Sequence, residues 1–278
     1  MAGQTFIWSK MEVKDGSPIE YFWSGQKNES VNALIGQEIE LKHTGRLVCT
    51  ACQKEVKKLF GQGFCYPCFL KAPENSECII KPELCRGHLG EGRDPEWELR
   101  NHVQPHVVYL ALTSAIKVGI TRKSNLVNRW VDQGAWKALA FAEVPNRFTA
   151  GQIEVALKDF LTDKTNWRKM LTDERAPLDL AAEKLKLKAA LSDELAPFFL
   201  SDGEVKELHY PVMNYPPKVN SVNFDKQPVQ QGVLVGIRGQ YLYFEGGKVL
   251  NVRKFTGYEI ELTVKGERIE RDVQMTLF

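Results

Sequence analysis

The chain has 278 residues, of which 43% are hydrophobic and 26% charged, and its formal net charge is +2. This composition is that of a globular protein, and no apolar run is long enough to span a bilayer. The first residues lack the basic and apolar segments of a secretory signal, so we expect a cytoplasmic protein. The charge is uneven, because residues 100–175 hold 12 Lys/Arg against 7 Asp/Glu, a net of +5. An anionic partner is therefore expected at the middle of the chain.

Residues 1–48 contain three strand-like stretches, TFIWSKMEV, IEYFWS and IGQEIELKH. The segments DGSP and SGQKNES separate them and are rich in turn-forming residues. This pattern predicts a small N-terminal β unit.

All six cysteines lie between positions 49 and 85, and two CxxC pairs are separated by twelve residues. The four thiolates of these pairs can close a tetrahedral Zn²⁺ site with no open position, which is typical of a structural zinc ribbon. The predicted ligands are Cys49, Cys52, Cys65 and Cys68. The alternatives are a redox dithiol or unpaired core cysteines. The zinc-binding region is predicted to span residues 49–106.

The segment CIIKPELCRGH predicts a second zinc site within this region. Cys78, Cys85 and His88 would supply three ligands, and a later histidine would supply the fourth. His102 suits this role better than His106, because His106 leads directly into a predicted strand. The alternative is a pair of buried thiols with surface histidines.

Residues 107–175 predict a ββαβα unit. VVYLAL and IKVGIT are typical of strands, NLVNRWVDQ of a helix, KALAFAEV of a strand and TAGQIEVALKDFL of an amphipathic helix. Thr149 is the expected cap of the last helix. Its predicted apolar stripe is Ile153, Leu157, Phe160 and Leu161.

A charged helical connector is expected over residues 176–215, and a compact antiparallel β unit over residues 216–278. Whether this C-terminal unit pairs with the N-terminal strands is left open by the sequence. The fold class is therefore α+β, with a central ββαβα domain, a zinc ribbon and β-rich units at both ends.

The central unit resembles the core of the GIY-YIG nucleases over about residues 107–166. Tyr109 stands in the first motif of that family, Gly119 in the second, Arg129 at the helical arginine and Glu154 at the metal-binding glutamate. The resemblance implies a nuclease-like scaffold with these residues and Lys117 in catalytic positions.

Three positions depart from the family pattern. Val107 replaces the first glycine, and Lys117 replaces the tyrosine of the second motif. Gln133 and Trp136 lie where the family usually has a histidine. The scaffold is therefore predicted more firmly than the activity.

Phosphodiester hydrolysis requires a cation, a group that orients water and a donor to the phosphate oxygens. Glu154 can hold Mg²⁺ or Mn²⁺, Arg129 can donate two hydrogen bonds to phosphate, and Tyr109 can act on water if its pKa is depressed. Gly119 would let a backbone approach the substrate. The alternatives are an ion pair of Glu154 with Lys158 and a plain core role for Tyr109.

Basic and aromatic residues that follow the hairpin and the last helix favour contact with nucleic acid. The predicted contacts are Arg122, Lys123, Lys164, Asn166, Trp167 and Arg168.

A longer set of segments is similar to an uncharacterised bacterial family, domain of unknown function 2797, across nearly the whole chain. These segments are KVGITR, NRWVDQGAWKA, AGQIE, KTNWRKML, CIIKPELCRGH and GIRGQYL. The resemblance implies a shared architecture without an established activity, and in that family the position of His102 is often Cys.

The sequence therefore predicts a zinc-containing nucleic-acid-binding protein with a GIY-YIG-like core, and it leaves open whether this protein is also a divalent-metal-dependent endonuclease. The alternative is a non-catalytic RNA- or DNA-binding module, or a protein-interaction module, on the same scaffold. The oligomeric state is not predicted.

Overall fold

The structure is a computed structural model that describes residues 3–26, 29–161 and 166–265. The chain forms two compact units. Unit 1 combines Met1–Phe69 with His209–Phe278, and unit 2 is Leu70–Leu208. The N-terminal and C-terminal parts of the described chain thus belong to the same unit.

The described part of the chain contains mostly short elements. The strands are β1 (Gln4–Ile7), β2 (Glu12–Lys14), β3 (Glu20–Phe22), β4 (Glu38–Leu47), β5 (His106–Leu112), β6 (Ile116–Arg122), β7 (Lys137–Val144), β8 (Lys206–Glu207), β9 (Asn220–Ser221), β10 (Val229–Arg238), β11 (Tyr241–Phe244), β12 (Lys248–Asn251) and β13 (Tyr258–Val264). The helices are α1 (Tyr66–Lys71), α2 (Pro95–His102), α3 (Leu126–Asp132), α4 (Arg147–Lys158), α5 (Trp167–Leu171) and α6 (Leu180–Leu187). None of these described helices has the length and apolarity needed to cross a membrane.

Unit 1 contains a seven-stranded sheet with the order β1-β13-β4-β10-β11-β12-β9. The N-terminal strand β4 pairs antiparallel with the C-terminal strands β13 and β10 on its two sides. Ile39 and Leu41 of β4 are fully buried, because alternate residues of a strand point to the same face. The pairing that the sequence left open therefore exists, and it joins N-terminal and C-terminal strands in one sheet.

Unit 2 contains a four-stranded antiparallel sheet with the order β6-β5-β7-β8. The central strand β5 directs Val108, Leu110 and Leu112 into an apolar core shared with α4 and α6. The element order from β5 to α4 is the predicted ββαβα order. Because side chains alternate along a strand, Tyr109 lies on the opposite face from this core.

The bounds of α4 differ from the sequence prediction. The helix is capped by Asn146, whose side-chain oxygen accepts a hydrogen bond from the Thr149 amide at 2.9 Å, and Thr149 is therefore not the cap. Ile153 and Leu157 are fully buried as predicted, but Phe160 is 66% exposed. The helix ends at Lys158, so the 3.6-residue periodicity no longer places Phe160 on the buried face.

Candidate metal centres and anion site

The four cysteines of the two CxxC pairs come together in unit 1. Phe60 and Phe64 exchange backbone hydrogen bonds of 2.7 and 3.0 Å, and this tight turn returns the second pair to the first. All four Sγ atoms lie within 4.8 Å of one another, and those of Cys52 and Cys65 are 3.8 Å apart. Four sulfurs around a zinc ion, with bonds of about 2.3 Å, would be roughly 3.8 Å apart. The cluster therefore fits a tetrahedral zinc site, as the spacing predicts.

The local backbone favours a thiolate at Cys49. Burial raises the pKa of this thiol, but hydrogen bonds from the backbone amides of Cys52, Cys65 and Ala51 outweigh burial and lower the pKa to about 6. Hydrogen bonding with Cys65 is the main cause that raises the pKa of Cys68 to about 12. Because zinc binds the thiolate form, the low pKa of Cys49 favours metal binding at neutral pH.

A second group of potential ligands lies in unit 2. Its members are Cys78, Cys85, Glu98 and His102, whose ligand atoms lie within 4.8 Å of one another. Three of them are predicted ligands, and His102 takes part rather than His106, whose Nδ1 lies 2.7 Å from the Gln104 carbonyl oxygen.

Glu98 takes the place in the cluster that the sequence analysis assigns to His88. His88 is exposed and stacks on Phe148, with ring centroids 4.6 Å apart, so it does not join the cluster. Glu98 was not predicted. It precedes His102 by four residues on α2, which places the two side chains on one face of the helix. The sequence signal was the spacing Glu98-x-x-x-His102 after Asp94-Pro95, a typical helix start.

Tyr109 and Gly119 are direct cross-strand partners in the β5–β6 hairpin. Tyr109 is fully buried. A Cβ placed on Gly119 would lie 2.4 Å from the Tyr109 Oη atom and 2.6 Å from its Cζ atom. The space beside Gly119 is therefore filled by the Tyr109 ring. This packing explains why position 119 requires a glycine, whereas the sequence analysis explains the same glycine by the approach of substrate.

Tyr109, Arg129 and Glu154 are close enough to influence one another's ionisation. Burial raises the pKa of Tyr109 to about 12, although Arg129 opposes this shift. The phenol is consequently neutral at pH 7 and can donate or accept a hydrogen bond but cannot act as a base. The water-activating role that the sequence suggests for Tyr109 requires a depressed pKa, and the pKa is raised instead.

The carboxylate of Glu154 is largely buried, with a side-chain exposure of 14%. Burial raises its pKa, nearby Lys158 and Arg147 lower it, and Glu83 raises it further. Its Oε2 atom lies 3.8 Å from the Lys158 Nζ atom, so the ion pair considered from the sequence is present. A solvent-facing helix residue would have neither this burial nor a raised pKa.

The predicted catalytic residue Lys117 and the predicted nucleic-acid contacts Arg122 and Lys123 lie on β6 or directly after it. Lys117 is half-buried and pairs across the strands with Ala111. Arg122 donates to the Asn101 side chain at 2.8 Å, and Lys123 forms an ion pair of 2.9 Å with Glu143. Arg122 and Lys123 are exposed, so these surface contacts can be exchanged for contacts with a ligand.

The second predicted group lies at α5. Asn166 caps this helix by accepting a hydrogen bond from the Arg168 amide at 3.0 Å. The Arg168 guanidinium lies over the Trp167 ring at 4.4 Å. Lys164 lies outside the described residues. Arg168 is exposed and Trp167 is half-buried, so the stacked pair presents a positive charge and an aromatic ring at the surface.

The fold and its sites define an α+β protein with a Cys₄ cluster that has the geometry of a zinc site. Residues 36–260 match the model of a family described as "Protein of unknown function (DUF2797)". The chain belongs to this family. No curated protein and no solved structure gave a significant match to the chain.

Proposed function

We propose that the protein is a zinc-containing nucleic-acid-binding protein. The ββαβα part of unit 2 is a GIY-YIG-like core that binds phosphate. This core cleaves phosphodiester bonds with the help of Mg²⁺ or Mn²⁺. The Cys₄ cluster of unit 1 binds Zn²⁺ as a structural ion. The partner is RNA or DNA, and the basic residues of unit 2 supply the electrostatic attraction.

The environment of Arg129 is the observation that carries this proposal. The guanidinium is half-buried, and no carboxylate of the described residues lies within ion-pair distance of it. Its pKa is raised mainly by Tyr109, with Asp132 and Glu154 adding smaller effects. A half-buried arginine without a direct counter-ion is suited to bidentate contact with a phosphate. The Tyr109 Oη atom is buried without a hydrogen-bond partner, and as a neutral phenol it would accept a hydrogen bond from the guanidinium.

A divalent cation fits beside Glu154. The Glu83 Oε2 atom is buried without a hydrogen-bond partner, and Glu83 acts on the pKa of Glu154. Glu83 raises the pKa of Glu154, and a cation between the two carboxylates would relieve this repulsion. Mg²⁺ is usually held by one or two carboxylates together with substrate phosphates. The cation would offset charge on the phosphate in the transition state.

The test is an incubation of the zinc-loaded protein with labelled single-stranded, duplex and structured RNA or DNA, with and without Mg²⁺ or Mn²⁺. We expect cleavage that requires the added cation and is abolished in Glu154→Gln. The matched control is Val155→Ala, because Val155 is 42% exposed on the same helix. Equal cleavage by Glu154→Gln and the wild type would contradict the metal-binding role of Glu154.

Non-catalytic binding is the second candidate function, and one observation favours it. Tyr109 is fully buried and its pKa is raised to about 12. The group of Tyr109, Arg129 and Glu154 therefore contains no evident base for the activation of water. In this case the same assay gives salt-sensitive binding without cleavage, and binding survives Glu154→Gln. A protein-interaction module would give no binding even at low salt.

A further inference from the structure

We propose that Cys78, Cys85, Glu98 and His102 bind one zinc-class divalent cation in unit 2, and that this centre fixes the first turn of α4 through Arg147. The inference rests on the geometry of unit 2 and is independent of the proposed nucleic-acid chemistry.

The donor atoms are arranged for a small tetrahedral ion. His102 Nδ1 lies 3.5 Å from Cys85 Sγ and 4.0 Å from Cys78 Sγ. Ligand atoms around zinc, with bonds of about 2.0–2.3 Å, would be roughly 3.3–3.8 Å apart. Glu98 Oε2 contacts His102 Nδ1 directly. One nitrogen therefore faces both sulfurs and the carboxylate, which is the convergence that a single ion requires.

The burial of the cluster determines how the charges of its metal ligands must be balanced. Cys78, Cys85, Glu98 and His102 are at most 8% exposed. When they bind a metal, the two thiolates and the carboxylate bring three negative charges into this interior, where charges are stable only when they are paired or bind a metal. A divalent cation offsets two of these charges.

Arg147 is placed to offset the third charge. Its Nε atom donates to the Cys78 carbonyl at 3.0 Å, and its Nη2 atom donates to the Ile79 carbonyl at 3.0 Å. Arg147 is the first residue of α4. Arg147 therefore connects α4, the helix that carries Glu154, to residues 78–85, which we call the metal loop.

Close backbone packing strengthens this tie. A Cβ placed on Gly151 of α4 would lie 2.2 Å from the Glu83 nitrogen and 2.4 Å from the Pro82 carbonyl carbon. The turn Pro82–Leu84 lies between the two cysteine ligands in the chain. If the ion were removed, both ends of the segment that contacts α4 would lose their anchor.

The backbone at Gly87 explains why His88 is not a ligand. A Cβ on Gly87 would lie 3.3 Å from the Glu98 Cβ and 3.4 Å from the His102 Cβ, so the backbone after Cys85 lies close against α2. His88 follows this close approach and turns outward to Phe148. This gives a matched pair of histidine variants, one inside the cluster and one outside it.

The first test measures metal content of the full chain after dialysis against a weak chelator. We expect about two zinc ions per chain in the wild type and about one in Cys49→Ser/Cys52→Ser. In that double variant, adding Glu98→Gln or His102→Ala should remove the remaining ion, and adding His88→Ala should leave it. Retention of the ion in Glu98→Gln, or its loss in His88→Ala, would overturn the proposed ligand set.

Cobalt substitution in Cys49→Ser/Cys52→Ser keeps the proposal testable if the ligand variants fail to fold. The sulfur-to-cobalt charge-transfer intensity per ion should be about half that of the Cys₄ site, because two thiolates bind instead of four. An intensity equal to that of four thiolates, or no charge-transfer band at all, would overturn the assignment.

The second test follows hydrogen exchange of residues 147–158 in the intact protein. We expect zinc to slow exchange in this helix, and Arg147→Gln to reduce the protection while the ion remains bound. Protection of α2 and the metal loop without any change in α4 would overturn the role of Arg147.

Discussion

Gly151→Ala isolates the contact between α4 and the segment Pro82–Leu84. The added Cβ would meet three backbone atoms, at 2.2 Å from the Glu83 nitrogen, 2.4 Å from the Pro82 carbonyl carbon and 2.8 Å from the Glu83 Cα atom. Carbon atoms in contact prefer separations of about 3.5–4.0 Å, so the helix and the segment must move apart by about 1 Å or more. Backbone atoms cannot rotate out of the way as the end of a side chain can.

The expected magnitude is the difference between two opposing effects. Overpacking in a filled interior costs about 1–3 kcal/mol, and a contact made entirely with backbone belongs at the upper end of this range. Replacing glycine by alanine inside a helix is favourable by about 1 kcal/mol. The substitution should therefore destabilise unit 2 by about 2 kcal/mol.

The assay is urea unfolding at saturating zinc, followed by hydrogen exchange of residues 147–158. Val155→Ala on the exposed side of α4 is the control and should change the free energy of unfolding by at most about 0.5 kcal/mol. A gain of stability in Gly151→Ala would mean that helix propensity alone decides the outcome, and the close packing of α4 on Pro82–Leu84 would be refuted.

Three further predictions concern other parts of the molecule. Gly119→Ala should lower the free energy of unfolding by about 1–3 kcal/mol, because the new Cβ meets the Tyr109 ring. Urea titrations should show a smaller decrease when the same substitution is made in a Tyr109→Leu background. An equal decrease in both backgrounds would contradict the packing of Tyr109 against Gly119. Burial lowers the pKa of His106 to about 4, whereas the unfolded chain has about 6.5, so the unfolded state takes up the proton first and stability should fall by about 3 kcal/mol between pH 6.5 and 4. His106→Asn cannot titrate and should lack this loss in urea titrations at each pH. Cys52→Ser should reduce the zinc content by about one ion per chain in elemental analysis, and an unchanged content would contradict the Cys₄ site.

The sequence predicts the ββαβα order because each element has its own local signal. The buried strand residues Val108 to Leu112 form a short β-rich run, and Ile153 and Leu157 repeat at helical spacing. The Cys₄ cluster is equally local, since the two CxxC pairs need only one tight turn to meet. The exposure of Phe160 could not be seen, because it depends on the residue at which α4 ends.

The remaining features depend on contacts between distant parts of the chain. The pairing of β4 with β10 and β13 joins residues 187 to 225 positions apart, and no local pattern specifies such a partner. In the sequence, Gly151 is simply a residue that disfavours a helix. The need for glycine becomes clear only from the contact with Pro82 and Glu83. Glu98 is not among the predicted ligands because Cys and His are the usual ligands of structural zinc, although a carboxylate four residues before His102 lies on the same helix face.

The salt dependence of nucleic-acid binding tests the central claim most directly. Fluorescence anisotropy of a labelled oligonucleotide over a salt series should give an affinity that falls linearly on logarithmic axes for the wild type. Arg129→Gln should weaken binding and reduce the slope by about one, provided that urea unfolding shows an intact fold. Arg46→Gln, which removes an exposed charge of unit 1, should leave the slope unchanged. No binding at low salt, or identical slopes for the wild type and Arg129→Gln, would contradict the proposal that Arg129 contacts phosphate.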